Sequence, residues 1–221
     1  YMPIYGLLAA FKNYNPLKGF LASPWVGWAN FELIFAMPSF GNALRNTLVI
    51  GLLKLVNCYP VPILFALMLN EIHCVPIKRT AQTLSYLPHF ISWVVAAGIW
   101  YRLLSPSSGI INSVLVNLHL LSEPINFVGE SSMFYPILIL TDLWKELGWS
   151  AIIYLAAITS INPELYEAAV MDGANRFQQI WHITLPGIKS TMLLMLIMAV
   201  SNLLNVGFDQ IYNMINLVVM E

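Results

Sequence analysis

Residues 166–186 read YEAAVMDGANRFQQIWHITLP, and they do not behave like the chain around them. They are polar, hold Gly173 near their middle and end at Pro186, between two long apolar runs. The local chemistry is that of a helix, an elbow and a second helix. Asn162 before Pro163 is an N-cap followed by proline at the first helical position. Glu164 and Glu167 fall in the first turns, where the helix dipole favours carboxylates. Gly173 then breaks the run, because glycine takes the left-handed conformation that ends one helix before another begins. Helical spacing resumes after it and gathers Phe177, Ile180, Trp181 and Thr184 near one face, and Pro186 is expected to stop the helix. Residues 162–186 are thus expected to be two short amphipathic helices lying on the cytoplasmic face of a membrane. The plain alternative is an ordinary connecting loop.

The membrane follows from composition. Hydrophobic residues make up 58% and charged residues 10% of the 221 positions, against roughly 45–50% and about 25% in soluble domains. Apolar segments at 47–69, 83–104, 134–158 and 188–208 are each near the ~20 residues a helix needs to cross a bilayer. None alternates at period two, so the expected fold class is all-α, a polytopic transmembrane helical bundle. Pro60, Pro62, Pro88 and Pro136 interrupt these segments, which favours a packed bundle whose neighbours satisfy the freed carbonyls. Ala96, Ala97, Gly98, Ala156 and Ala157 are small enough for close helix contacts. The net charge of −1 gives no support to nucleic-acid binding. Cys58 and Cys74 are too few for a disulfide framework.

Basic residues favour the cytoplasmic side. Lys78 and Arg79 in one link, and Arg176 and Lys189 around the polar stretch, place both inside. The long link 105–132, without Lys or Arg, falls outside. Lys12 and Lys18 would then lie outside, against the rule, beside Trp25, Trp28 and Phe31, which look like an interfacial aromatic belt.

Glu167-Ala168-Ala169, three residues, Gly173, nine residues, then Ile183-Thr184-Leu185-Pro186 matches the EAA motif, and Asp172 and Ala174 extend the match. The chain resembles the integral-membrane permease subunits of bacterial binding-protein-dependent ABC importers. SPWVGWANF, LPHFISWVV, WKELGW and YLAAI are similar to the oligosaccharide and polysaccharide branch, including alginate-type permeases. The resemblance implies a single permease domain over 1–221 in the bacterial cytoplasmic (inner) membrane, with 162–186 as its EAA coupling loop. It implies that Glu167, Ala168, Ala169, Asp172, Gly173, Ala174, Leu185 and Pro186 couple the chain to two cytoplasmic nucleotide-binding ATPase subunits, which carry the ATP and Mg. It also implies a second permease subunit, an extracytoplasmic solute-binding protein and a carbohydrate substrate. Permeases of this kind usually have at least six spans. Residues 1–11 look like the end of a cut first span and a final span is missing, so the chain is expected to be a portion of a longer one.

Other chemistry is thin. A phosphate-cradling loop needs Gly followed by Lys and Ser or Thr, and no Gly here precedes a Lys. The four histidines have no metal-ligand spacing, and no catalytic grouping emerges, so no cofactor, metal or catalysis is expected on this chain. Charges inside spans cost at least ~2.5–3.5 kcal/mol at mid-bilayer. Lys54 lies in the first segment, and Asp142, Lys145 and Glu146 lie in the third. Asp142 and Lys145 can pair at i,i+3, as a structural ion pair or as one wall of a translocation path. Asn202, Asn205, Asp209 and Gln210 concentrate on the fourth segment. Asp142, Trp144, Lys145, Asn202, Asn205 and Asp209 are therefore the candidate path residues, with Trp144 and Trp149 as sugar-stacking platforms. A self-contained secondary transporter or channel would use intramembrane charges and broken helices equally well, but it has no use for a docking loop.

Overall fold

The structure is a computed structural model that describes residues 5–214. The described residues are helical throughout, apart from turns and an isolated bridge between Lys12 and Trp25. They divide along the chain into two compact units, with the boundary between Val49 and Ile50.

In the first unit a 3-10 turn at Gly6–Phe11 leads into the bridge and then a helix at Ala29–Ala36. Phe11 stacks on Trp25 at 5.7 Å and meets Trp28 edge-on at 5.5 Å, so the expected aromatic belt is a single ring cluster. Asn30 fastens it by donating to the carbonyls of Ala10 and Lys12.

The apolar segment expected at 47–69 belongs to a 34-residue helix, Pro38–Glu71. Pro60 and Pro62 interrupt it only as a register break at Tyr59, because two prolines on either side of Val61 remove donors from one turn and the rest of the helix carries on. The segment expected at 83–104 is not one straight helix. Val75–Phe90 and Trp93–Leu104 meet at 110°. The cause is local: Pro88 supplies no N–H, the turn tightens to 3-10 at Leu87–Phe90, and Ile91 goes extended. Ser92 then restarts the helix by accepting from the Val95 N–H. The segment 134–158 lies within one 29-residue helix, Ser131–Thr159, with Pro136 near its start.

The segment expected at 188–208 is also broken. Arg176–Gly187 and Lys189–Ser201 meet at 63°, and the second helix ends at Ser201. A non-helical stretch over 202–207 separates it from a short helix, Phe208–Met214. Among the described residues one helix is long and apolar enough to cross a membrane alone, and up to three if each bent pair counts as one span.

The second unit packs around the long helix Ser131–Thr159. Ile63, Ala66 and Leu67 meet its Ala151, Tyr154, Leu155 and Ile158, with Ile188 from the chain's return. Nearer its start, Ile137 and Leu138 meet Ala97, Trp100, Leu104, Ile50 and Met214. Lipid tails give helices no hydrophobic reason to associate, so close approach at small residues decides the packing. Ala96 and Ala97 serve this role as expected, but Gly98 and Ala156 are exposed. The closest crossings fall at other glycines. A Cβ on Gly148 would stand 2.2 Å from the Ser85 carbonyl carbon, and one on Gly51 would stand 2.3 Å from the Leu203 oxygen.

Candidate functional site: a docking loop and a polar cavity

The loop is built by its caps. Asn162 accepts from the Glu164 N–H at 3.1 Å, and Pro163 opens the helix Pro163–Met171. The helix closes in a Schellman motif: Gly173 N–H donates to Val170 O and Ala174 N–H to Ala169 O. This needs a left-handed residue, and Gly173 has φ +79°, as the sequence led us to expect. Asn175 and Gln178 then form a reciprocal capping box. Pro186 does not stop the second helix. The turn before it widens to π geometry at Ile180–Thr184, with Leu185 N–H reaching back to Ile180 O. The wider turn accommodates a residue without an N–H, and the helix continues to Gly187.

Two side chains that the motif did not flag, Tyr166 and Gln179, tie the loop internally. The Tyr166 hydroxyl bonds Thr184 Oγ1 at 2.9 Å across the elbow, and buried Gln179 donates to Ala174 O at 3.0 Å. Both partners are polar residues inside an amphipathic pattern, so nothing in the sequence marked them as inward-facing. Glu167, Ala168, Asp172, Gly173 and Pro186 are exposed, and Ala169, Ala174 and Leu185 are half-buried. Ala169, Asp172, Gly173 and Ala174 share a shallow cleft with Gln178, Gln179, His182 and Ile183. Leu185 packs instead on the core around Tyr154. The expected single apolar face is split: Thr184 is buried and Ile180 half-buried, while Phe177 and Trp181 stack on each other in the open. With Val170 and Met171 they leave a large apolar area exposed on a polar loop.

Within the second unit, a cavity of about 620 Å³ opens between the first long helix, the helix Ser131–Thr159 and the segment that ends the helix Lys189–Ser201. Asp142, Asn202 and Asn205 line it, together with Lys54, Glu146, Ser150 and Tyr154. The other three candidate path residues lie elsewhere. Trp144 packs edge-on against Trp100 at 5.6 Å in the core. Asp209 is exposed, and its carbonyl accepts from the Asn213 amide. Lys145 is buried, donates to the His89 carbonyl at 2.7 Å and lies 5.5 Å from the Trp93 ring centroid.

The expected Asp142–Lys145 pair does not form. Asp142 pairs with Lys54 at 3.1 Å, and Lys145 with Glu146 at 3.4 Å. The i,i+3 spacing permits a pair, but Lys145 reaches the His89 carbonyl, while Asp142 lines the cavity. Trp149 stacks on His89 at 4.5 Å. His89 also bonds Glu146 at 2.7 Å. Among the described residues no group of three His, Cys, Asp or Glu side chains is placed to hold a metal.

The described residues thus form a helical bundle with a capped polar loop between the helices Ser131–Thr159 and Lys189–Ser201. Residues 31–208 match the family described as "Binding-protein-dependent transport system inner membrane component", and the chain belongs to that family. It is 46% identical over 216 residues to the polygalacturonan/rhamnogalacturonan transport system permease protein YteP of Bacillus subtilis, covering 98% of this chain and 67% of that protein. It is 43% identical to the protein LplB of the same organism, with the same coverage. A crystal structure of a bacterial ABC transporter involved in the import of the acidic polysaccharide alginate superposes with a TM-score of 0.89 at 41% identity, covering 99% of this chain and 72% of that one. A second crystal structure, of the bacterial alginate ABC transporter in complex with an alginate pentasaccharide-bound periplasmic protein, gives 0.88 at 40% identity, with the same coverage. The fold is thus a transmembrane helical bundle of the ABC importer permease type, and the chain is an inner-membrane transport component.

Proposed function

We propose that the chain is one of two permease subunits of an ATP-driven importer for an acidic oligo- or polysaccharide. Residues 162–186 form the cytoplasmic coupling loop of this single permease domain and dock on a separate ATPase dimer, which carries the ATP and Mg. A solute-binding protein delivers the sugar on the far side, and the chain crosses the membrane several times.

The observation that carries this reading is the cavity of about 620 Å³ with irregular backbone in its wall. Non-helical backbone at membrane depth is tolerated where it lines a water-filled space. Asn202 and Asn205 sit on such backbone and present amides that hydroxyl-rich rings can bond. The preference for an acidic sugar is supported by the names of relatives, one for alginate and one for polygalacturonan, a polymer of carboxylate-bearing rings. The exposed apolar area on the loop supports a protein partner there.

The test is the assembled importer in proteoliposomes with its solute-binding protein. Uronic-acid oligomers are expected to stimulate ATP hydrolysis, and neutral oligomers of equal length are not. Equal stimulation by both would remove the acidic preference. Uptake driven by an ion gradient without ATP would make the chain a secondary transporter.

A further inference from the structure

Lys54 stands at a junction of three elements. Its Nζ donates to Asp142 Oδ1 on the long helix at 3.1 Å, to the Val206 carbonyl at 3.0 Å and to Gln210 Oε1 at 2.5 Å. An ammonium has three donors, so none remains for a solute even though Lys54 lines the cavity. Gln210 is fully buried, and its other end donates to Leu138 O at 2.7 Å and Thr141 Oγ1 at 2.9 Å. The non-helical 202–207 stretch is thus bound at one end by Lys54. At its other end Leu203 lies against the Cβ-less face of Gly51, one turn before Lys54 on the same helix. Gly207, with φ +81°, lets the chain turn beneath the ammonium: a Cβ there would lie 3.4 Å from Nζ.

We propose that Lys54 is a positioning residue for transport: its three-way clamp holds the 202–207 segment so that Asn202 and Asn205 face the cavity. This rests on the cavity being the path proposed above. Within that reading Lys54 does not bind the sugar's carboxylate. It fixes the wall that the sugar meets, and the wall contributed here is amide and charge-balanced, since Lys54 is matched by Asp142 and Glu146 by Lys145.

The test reads the wall directly and needs no substrate. In membranes holding the full-length protein with Cys58 and Cys74 replaced by Ser, a cysteine at Asn205 reports on the segment. A cysteine at Ala199, which lines the same cavity from a regular helix that Lys54 does not touch, is the control. Both are labelled with a small charged thiol reagent. Lys54→Met is expected to change the labelling rate at position 205 by about tenfold, since losing hydrogen bonds from a charged group amounts to 1.4 kcal/mol or more. Position 199 is expected to stay within about twofold, below half a unit of that scale. Lys54→Arg is expected to restore most of the native rate at 205.

Because Lys54→Met leaves half-buried Asp142 without its cationic partner, Lys54→Met combined with Asp142→Asn is made alongside it. It removes both charges and is expected to give the same selective change. An unchanged rate at 205 in both variants would overturn the clamp. An equal change at 205 and 199 would overturn it too, since that is general loosening. If uronic-acid oligomers fail to stimulate ATP hydrolysis while the labelling pattern holds, the transport reading fails and the clamp stands.

Discussion

Gly173→Val isolates backbone conformation from packing. A Cβ on Gly173 meets nothing within 4 Å, so the valine side chain has room and the whole cost comes from φ +79°. A non-glycine residue in the left-handed region costs roughly 1–2 kcal/mol, and a β-branched one more. About 2–3 kcal/mol is thus expected for valine, which lowers the population of the native elbow roughly 30- to 150-fold relative to competing turns. The Schellman bonds from Gly173 and Ala174 are lost in those turns, and the second arm is aimed elsewhere. Gly173→Asn, whose side chain tolerates this region, is expected to cost under about 1 kcal/mol. Membrane abundance, amide exchange at 173–174 and substrate-stimulated ATP hydrolysis are measured together. Valine is expected to leave abundance near normal, speed exchange and abolish stimulation, with asparagine close to wild type. A valine variant that imports at the normal rate would show that the elbow does not set the aim of the loop.

Glu167→Lys reverses an exposed charge on the loop, so insertion should be normal and substrate-stimulated ATP hydrolysis lost; wild-type stimulation in the purified complex counts against a docking role. Gly148→Val drives a side chain into the Ser85 backbone and is expected to cost at least ~1–3 kcal/mol, read as lowered thermal stability in detergent; an unchanged melting temperature would mean the crossing has slack. Tyr166→Phe removes only the hydroxyl bond to Thr184 and is expected to cost about 1 kcal/mol, seen as faster amide exchange in residues 163–171 with little change in global stability.

The parts of this architecture that were legible in the sequence are those encoded within one or two turns. Asn162-Pro163 and Gly173 each specify a local backbone state, and each adopts it. Apolar run length located the long helices Pro38–Glu71 and Ser131–Thr159 but not the breaks in the other two runs. Proline was harder to interpret, because its effect depends on what its neighbours do. Pro88 produces a 110° bend, whereas Pro186 is absorbed by a widened turn. Partners distant along the chain were invisible: Lys54 and Asp142 are 88 residues apart, and the i,i+3 spacing of Asp142 and Lys145 pointed to the wrong pair. Glycine and tryptophan identity also failed to say which way a residue faces. Gly148 sits in the tightest crossing while Gly98 is exposed, and Trp144 is a core residue rather than a platform.

The loop leaves and re-enters the bundle at the same place. Ile161 before it, Ile180 and Leu185 in its second arm and Ile188 after it all pack on one core cluster, and Gly187 lies so close to Ile161 that a Cβ would stand 2.7 Å from its Cδ1. The arms between are cross-tied by Tyr166 and Thr184. Exposed loops ordinarily fluctuate on nanosecond to microsecond timescales, and packed helices move collectively in microseconds to milliseconds. A loop whose two roots share a core belongs with the helices, so under the proposed docking role a push at Glu167 is expected to reach the helices as one slow displacement rather than dissipate in the loop.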